Sequence, residues 1–515
     1  MILTRREAIA GGVVLVGLTA ARASGAGRDP FSLGVASGDP WPDGMVLWTR
    51  LAPEPLSPDG GMPARAVPVR WEISESEHFA PVRSGTAMAE PAWGHSVHVE
   101  LTGLRPGRPY WYRFIADGVV SPVGRTRTAP ASGTSPERLR LCFGSCQKYE
   151  AGYYAAWRHA AAEDPDLIVF LGDYIYEGDP TDKGVRKHLN AKPRDLAGYR
   201  VRYATYKLDP WLQAAHAAAP WVSTWDDHEV ENNYTGDFSE HNDDRAVFLK
   251  LRAAAYKAYY EHMPVRRAAR PVGSHARLYR TIGWGDLAQL QVIDDRQYRT
   301  SPPCQAPGAT ARHLAVPDAA PDCPERNLAS RSMLGWQQED WLAGRLRTTR
   351  ARWNFLTQQT LMLPLLRSPD DKPDLPLTLY NTDRWDGFPA TRARILRHMR
   401  DARTPNPVIL SGDIHAFVAG DHADPDRPER IVASEFVGGS ITSLNHAPYP
   451  QSPSAINPGF RYSNIEQRGY GRIDLTRDRC EVTYRGLADA RDERSSIADI
   501  GRFVVEAGKA GLVTA

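Results

Sequence analysis

A chain of 515 residues, 42% hydrophobic and 24% charged, has the balance of a globular protein and is long enough for more than one domain. Its formal net charge of +2, with no run of like charges and no basic stripe, argues against nucleic acid as an obligate partner. Only nine of the 63 basic residues are Lys, so the abundance of Arg follows composition and marks no anion-binding face by itself.

The N-terminus is a different material. Thr4-Arg5-Arg6-Glu7 precedes an apolar run from Ala8 to Ala21, and Ala21-Arg22-Ala23 offers a small-x-small cleavage site. The pattern predicts a twin-arginine secretory signal over residues 1–26, with a general secretory signal as the plainer reading. The run is short of the ~20 apolar residues that cross a bilayer, and no later stretch is apolar enough, so no transmembrane anchor is expected. The mature chain is expected in the periplasm or the medium, exported folded by the twin-arginine (Tat) translocase. That route suits a protein that takes up a metal before it leaves the cytoplasm.

From Phe31 to Pro130 the pattern is all-β. Val67–Ile73 and Ser96–Leu101 alternate polar with apolar. The run Thr102-Gly103-Leu104-Arg105-Pro106-Gly107, then Tyr110-Trp111-Tyr112, resembles a fibronectin type III-like sandwich, with 125–130 as its last strand. A small β-sandwich domain is therefore expected over 30–130, followed by a linker rich in Pro, Ser, Gly and Thr up to Pro136. From 137 to 515 apolar strands alternate with helices. Strands are predicted at Leu139–Gly144, Leu167–Leu171, Trp221–Trp225, Leu287–Ile293, Trp353–Thr357, Val408–Leu410 and Ile431–Phe436, with a closing hairpin over Ile473–Tyr484. Helices are predicted at Tyr153–Ala162, Asp195–Lys207, Pro210–Ala218 and Arg245–His262. This alternation gives an α/β layered core. Of the five cysteines, Cys304 and Cys323 are the expected disulfide, while Cys142 and Cys480 sit in strand-like runs as apolar fillers.

The chemistry is carried by four short motifs, each following an apolar run: Gly144-Ser145-Cys146-Gln147, Gly172-Asp173-Tyr174-Ile175-Tyr176-Glu177, Trp225-Asp226-Asp227-His228-Glu229 with Asn232-Asn233, and Ser411-Gly412-Asp413-Ile414-His415. Side chains leaving the ends of neighbouring strands can converge on one ligand. A lone Gly-Asp pair is usually a turn; four metal-capable clusters in this order are a far stronger signal.

This set resembles that of the PhoD-like alkaline phosphatases, within the calcineurin-like metallophosphoesterases and akin to purple acid phosphatases. The likeness extends through Phe31–Pro40, Leu47–Arg50 and Val292–Arg299. It implies a metallophosphoesterase core of two β-sheets flanked by helices over 137–515, and a phosphoric ester hydrolase that needs Fe³⁺ with one or two Ca²⁺. Asp173 would bridge the cations and Tyr176 would add a phenolate to iron. Cys146 would add a thiolate, which suits iron and not a hard cation; its plainer reading is a buried thiol. His415 would complete the iron set. Asp227 and Asp413 replace the nitrogen and amide ligands of the wider superfamily, giving an oxygen-rich site suited to Ca²⁺. Asp226 and Asn232 are further oxygen donors or merely turn residues. His228 would protonate the leaving oxygen, with Glu229 orienting it. Arg296 reads either as a phosphate clamp or as a surface ion-pair partner of Asp295. The implied reaction is in-line attack of a metal-activated water on a small phosphate ester. Ser145 lacks a His-Asp pattern that would make it a nucleophile.

Substrate choice stays open between phosphomonoesters and phosphodiesters, phospholipids included, because pocket shape lies in loops such as 181–193 and 301–324 rather than in the motifs. A separate reading is a non-enzymatic surface protein whose motifs are structural calcium sites.

Overall fold

Leu167–Phe170 is apolar at all four positions because both faces of this strand are covered. In the computed structural model it runs parallel to Arg138–Gly144 on one side and Trp221–Ser223 on the other. The structure describes residues 29–515 apart from 242, 302, 305–317, 320–322, 367–379, 446–448 and 451; the predicted signal over 1–26 lies outside the described residues, as does much of the 301–324 loop. The parallel triplet is the middle of a ten-stranded mixed sheet. The Gly469–Thr476/Arg479–Leu487 hairpin, Ile497–Glu506 and Leu512–Thr514 extend one side, and Val35–Trp41, Gly44–Arg50 and Ser96–Glu100 the other.

A second sheet of seven strands runs in the order Arg280–Trp284, Ala288–Val292, Trp353–Thr357, Pro407–Ser411, Arg427–Gly438, Phe417–Asp424, Phe460–Asn464. Its middle strands are parallel. The period of two along each strand sorts the side chains. Leu167 and Val169 of the first sheet meet Phe355, Val408 and Leu410 of the second in one core, so the sheets pack face to face. Ile168 and Phe170 point the other way, into a core with Trp157, Tyr203 and Tyr259. These come from the helices Ala155–Ala162, Leu196–Lys207 and Arg245–His262. Leu356 and Ile409 likewise meet Leu342, Leu346, Ile395 and Met399 on the helices Trp336–Thr348 and Pro389–Asp401. Each such side chain, fully buried, contributes about 1.5–3 kcal/mol.

Helix starts follow their caps. Asp195 accepts from Gly198 N–H, and Asp209 accepts from the N–H groups of Trp211 and Leu212, with Pro210 at the first helical position. The two helices at 336–348 and 389–401 have no counterpart in the sequence reading. The second carries four arginines in thirteen residues, and its apolar stripe is only Ile395, Leu396 and Met399. No described helix is long and apolar enough to cross a membrane.

The strands of residues 30–130 divide between two sheets. Val35–Trp41 pairs in parallel with Trp221–Ser223 and so belongs to the main sheet, while Val67–Ser74, Arg83–Ala89, Pro109–Ala116, Val119–Val120 and Gly124–Arg127 form a separate five-stranded sheet. Leu47, Val97 and Val99 of the main sheet pack against Val69, Tyr112 and Phe114 of the small one. Cys304 and Cys323 are joined in a disulfide with Cα atoms 5.9 Å apart, and Cys142 and Cys480 are buried.

Asp39, 1% exposed, fastens this N-terminal segment to the second sheet by accepting from Arg280 Nε at 2.8 Å and Nη2 at 2.6 Å. Asp39→Ala leaves Arg280 without its carboxylate. We expect a loss of about 3 kcal/mol, read as a lower urea midpoint, with Asp39→Asn retaining part of it.

Candidate metal centre

All four motifs lie where strands of the two sheets end side by side. Three turn out of Arg138–Gly144, Leu167–Phe170 and Trp221–Ser223 in the first sheet, and one out of Pro407–Ser411 in the second. The turns are close enough to exclude side chains. A Cβ on Gly172 would lie 2.5 Å from Asp226 Cβ, and one on Gly412 would lie 2.6 Å from Ser145 Oγ. Cys146, Asp173, Asp413 and His415 all hold positive φ, at 58°, 60°, 65° and 53°. Non-glycine residues seldom adopt that conformation, and its clustering here marks a site where backbone strain aims side chains.

Ligand atoms of Cys146, Asp173 and His415 lie within 4.8 Å of one another. Tyr176 joins them: its hydroxyl donates to Asp173 Oδ2 at 2.8 Å and meets His415 Nε2 at 2.9 Å, and it accepts from Ser443 Oγ at 2.7 Å. His415 Nδ1 faces the Leu444 carbonyl at 2.8 Å, which turns Nε2 towards the cluster, the arrangement usual for a metal-binding imidazole. Burial and the Asp173 carboxylate push both the Cys146 thiol and the Tyr176 phenol well above their usual ranges. A thiolate and a phenolate at this place therefore call for a cation, and the buried Asp173 Oδ1 has no hydrogen-bond partner. These donors fit a soft-tolerant, strongly Lewis-acidic ion. Ser145 is buried, with its hydroxyl donating to the Gly439 carbonyl and accepting from Cys146, and no imidazole among the described residues bonds to it.

A second group, Asp173, Asp227 and His228, also lies within 4.8 Å. Arg296 departs from its reading as a surface ion-pair partner of Asp295. It is neither at the surface nor paired with Asp295. Fully buried, it donates from Nε to Asp226 Oδ1 and from Nη1 to both oxygens of Asp383 at 2.7 and 2.8 Å. Its Nη2 lies 3.7 Å from Asp227 and 3.8 Å from Asp413. A guanidinium so enclosed orders the carboxylates, and its Nη2 is left buried without a hydrogen-bond partner. Asp295 instead accepts from Thr360. Burial pushes Asp226 well up, despite Arg296, and raises Asp413; for Asp227, Arg296 and His228 outweigh burial and hold it below the usual range. Asp226 Oδ2 is buried without a partner, so that oxygen is free for a cation. Asn232 donates from its amide nitrogen to Glu240 at 2.6 Å, leaving the amide oxygen as its one ligand atom.

His228 stacks on Tyr176 with ring centroids 4.1 Å apart and is oriented by Glu177, whose Oε2 lies 2.7 Å from Nδ1. Glu229 does not orient it. It accepts from the backbone N–H groups of Asp173, Tyr174 and Asp226, and burial with Asp173 pushes its pKa to about 8. Glu229 thus sets the turns, and Glu177 sets the imidazole. Burial disfavours the imidazolium, but Glu177, Asp227 and Asp173 outweigh it and hold His228 well above its usual range. Glu177 stood inside the second motif and could have been found there. Asp383 and Arg384 stood outside all four, in the polar run Asn381-Thr382-Asp383-Arg384.

Comparison with known proteins gives the family. Residues 141–484 match the model of the PhoD-like phosphatase, and 17–130 that of its N-terminal domain. The chain belongs to the PhoD-like phosphatase family. Alkaline phosphatase D of Bacillus subtilis (strain 168) is 42% identical over 495 residues, covering 94% of this chain and 82% of that protein. A solved structure of PhoD superposes with a TM-score of 0.87 at 41% identity, covering 96% of this chain and 93% of the other. The chain is thus a phosphoric ester hydrolase, and the reading as a non-enzymatic calcium-binding surface protein falls.

Because Glu177 favours the protonated form of His228, Glu177→Gln lowers the pKa of that imidazole. The alkaline limb of the kcat profile is expected to move to lower pH, and His228→Ala to lose about 10²–10⁴ in kcat with a flattened limb. A limb unmoved by Glu177→Gln would detach His228 from the profile.

Proposed function

We propose that the chain is an exported, metal-dependent alkaline phosphatase acting mainly on phosphomonoesters, with one Fe³⁺ and one or two Ca²⁺. The observation that carries this is the convergence of Cys146, Asp173, Tyr176 and His415 from turns that lie up to 269 positions apart in sequence, beside the carboxylates Asp227 and Asp413. Thiolate, phenolate, imidazole and carboxylate suit iron; Asp227, Asp413, the free oxygen of Asp226 and the amide oxygen of Asn232 suit calcium. When bound, the cations supply Lewis acidity to the phosphoryl oxygens and to the attacking water. The chain's own residues do the rest. Arg296 keeps Asp226, Asp227 and Asp413 at a fixed spacing. His228, held at Nδ1 by Glu177, directs the Nε2 proton towards the leaving oxygen. The buried Ser145 supports a route without a covalent phosphoserine.

The face-to-face sheets with outer helices support the metallophosphoesterase layering, and the small sheet packed on Gly44–Arg50 and Ser96–Glu100 supports a fibronectin type III-like sandwich. Arg5-Arg6 and the Cys304–Cys323 disulfide support twin-arginine export to an oxidising compartment.

Elemental analysis of the exported protein is expected to give iron and calcium, with a visible band from phenolate-to-iron charge transfer that Tyr176→Phe abolishes. A colourless, iron-free and active enzyme would refute the Tyr176 assignment. Turnover of p-nitrophenyl phosphate is expected to exceed that of the bis-p-nitrophenyl ester; the reverse order would make the enzyme a phosphodiesterase or phospholipase D of the same family. Arg5→Lys with Arg6→Lys is expected to leave the protein in the cytoplasm, and unimpaired export would point to the general secretory route.

A further inference from the structure

Arg296 is enclosed, whereas a second arginine beside Asp413, Arg384, is partly exposed. The geometry points to Arg384 as the side chain that grips the phosphoryl group and selects the dianionic monoester over the diester. Arg384 follows the Tyr380–Asn381 strand and leads into the short Trp385–Gly387 turn. Its Nε donates to Asp413 Oδ2 at 2.6 Å and its Nη1 to the Tyr449 hydroxyl at 3.2 Å. Its Nη2 makes no hydrogen bond to a described residue, and 18% of the side chain is exposed. The other arginines of the centre are buried, and the nitrogens they leave without a partner (Arg296 Nη2, Arg299 Nη2 and Arg468 Nε) are enclosed with them. Arg296 and Arg299 are 0% and 1% exposed and both bind Asp383, while Arg468 donates to the carbonyls of His415 and Ser443. Among the described residues Arg384 is the arginine that touches a candidate ligand carboxylate and still reaches solvent.

The inference rests on the phosphatase reading, with Asp413 as a cation ligand. A cation on Asp413 draws off the negative charge that now neutralises Arg384. The guanidinium is then held in place by Nε and by Tyr449, with Nη2 unbonded to any described residue. A planar fork with spare donors matches the oxygens of a phosphoryl group, and a monoester dianion offers it one more charge than a diester. Tyr449 is the positioning residue, because its hydroxyl sets the plane of the fork.

The test uses the metal-loaded, full-length protein with inorganic phosphate as the probe. In calorimetric titration Arg384→Ala is expected to weaken phosphate binding at least about tenfold, with iron and calcium content unchanged. KM for p-nitrophenyl phosphate is expected to rise by a similar factor, while kcat/KM for the bis ester changes less than about threefold. Arg384→Lys is expected to recover part of the affinity, and Tyr449→Phe to weaken it by a smaller factor. Unchanged phosphate affinity in Arg384→Ala would overturn the proposal. So would loss of calcium with equal losses on both esters, since Arg384 would then serve only to hold Asp413. Phosphate binding is read independently of turnover: a wild-type chain inactive on both esters would defeat the phosphatase reading, and the titration would still decide for or against Arg384.

Discussion

Arg296 leaves the second sheet just beyond Ala288–Val292 and buries its whole guanidinium among carboxylates, one of them, Asp226, from the end of a strand in the first sheet. A charge so placed is tolerable only with its partners around it, and removing one partner of a buried pair costs about 3–5 kcal/mol. The contact therefore sets how the two sheets meet. It draws the Trp225–Glu229 turn, the Asp383 loop and the Asp413 turn around one point. Arg299, on the same segment, closes the network by also binding Asp383.

The turns that converge on this point are under conformational strain. A left-handed residue other than glycine costs about 1–2 kcal/mol, and Cys146, Asp173, Asp413 and His415 all hold that conformation. An extended continuation of each strand would send alternate side chains to opposite faces. The left-handed turn breaks that alternation and directs the donor over the strand ends. The apolar strands beneath, buried on both faces, hold the turns in place, and Glu229 fastens two of them with three backbone hydrogen bonds.

Burial gives the centre its electrostatic character. Asp226, Asp227, Asp383 and Asp413 crowd together with Arg296, Arg299 and Arg384 as their guanidinium partners, and Asp173 stands beside them against Tyr176 and His415. Burial pushes the Cys146 thiol and the Tyr176 phenol towards their neutral forms and raises Asp226 and Asp413. Such groups are poised for cations, which reverse each of those shifts. At the solvent side the balance changes sign: Glu177 favours the protonated form of His228, and the Arg384 side chain is partly exposed. The interior suits metal ions and the mouth suits a phosphate ester.

Much of this was legible in one dimension, for a physical reason. Ligands at strand ends follow apolar runs, so each motif carried both its donor and its place, and Cys146, Asp173, Tyr176, Asp227, His228, Asp413 and His415 were found together. Strands buried on both faces and helices with Asp caps announced themselves in the same way, through local composition and local hydrogen bonds. The helices at 336–348 and 389–401 did not, because their apolar stripes are narrow and set among polar and charged residues. Pairings across long separations belonged to the tertiary structure alone. Only packing decided that Arg296 turns inward to Asp226 and Asp383, 70 and 87 residues away, rather than to its neighbour Asp295. Packing also gave His228 to Glu177 rather than Glu229, and divided the strands of residues 30–130 between two sheets. A side chain's partner is chosen by which surfaces meet, and no local pattern encodes that.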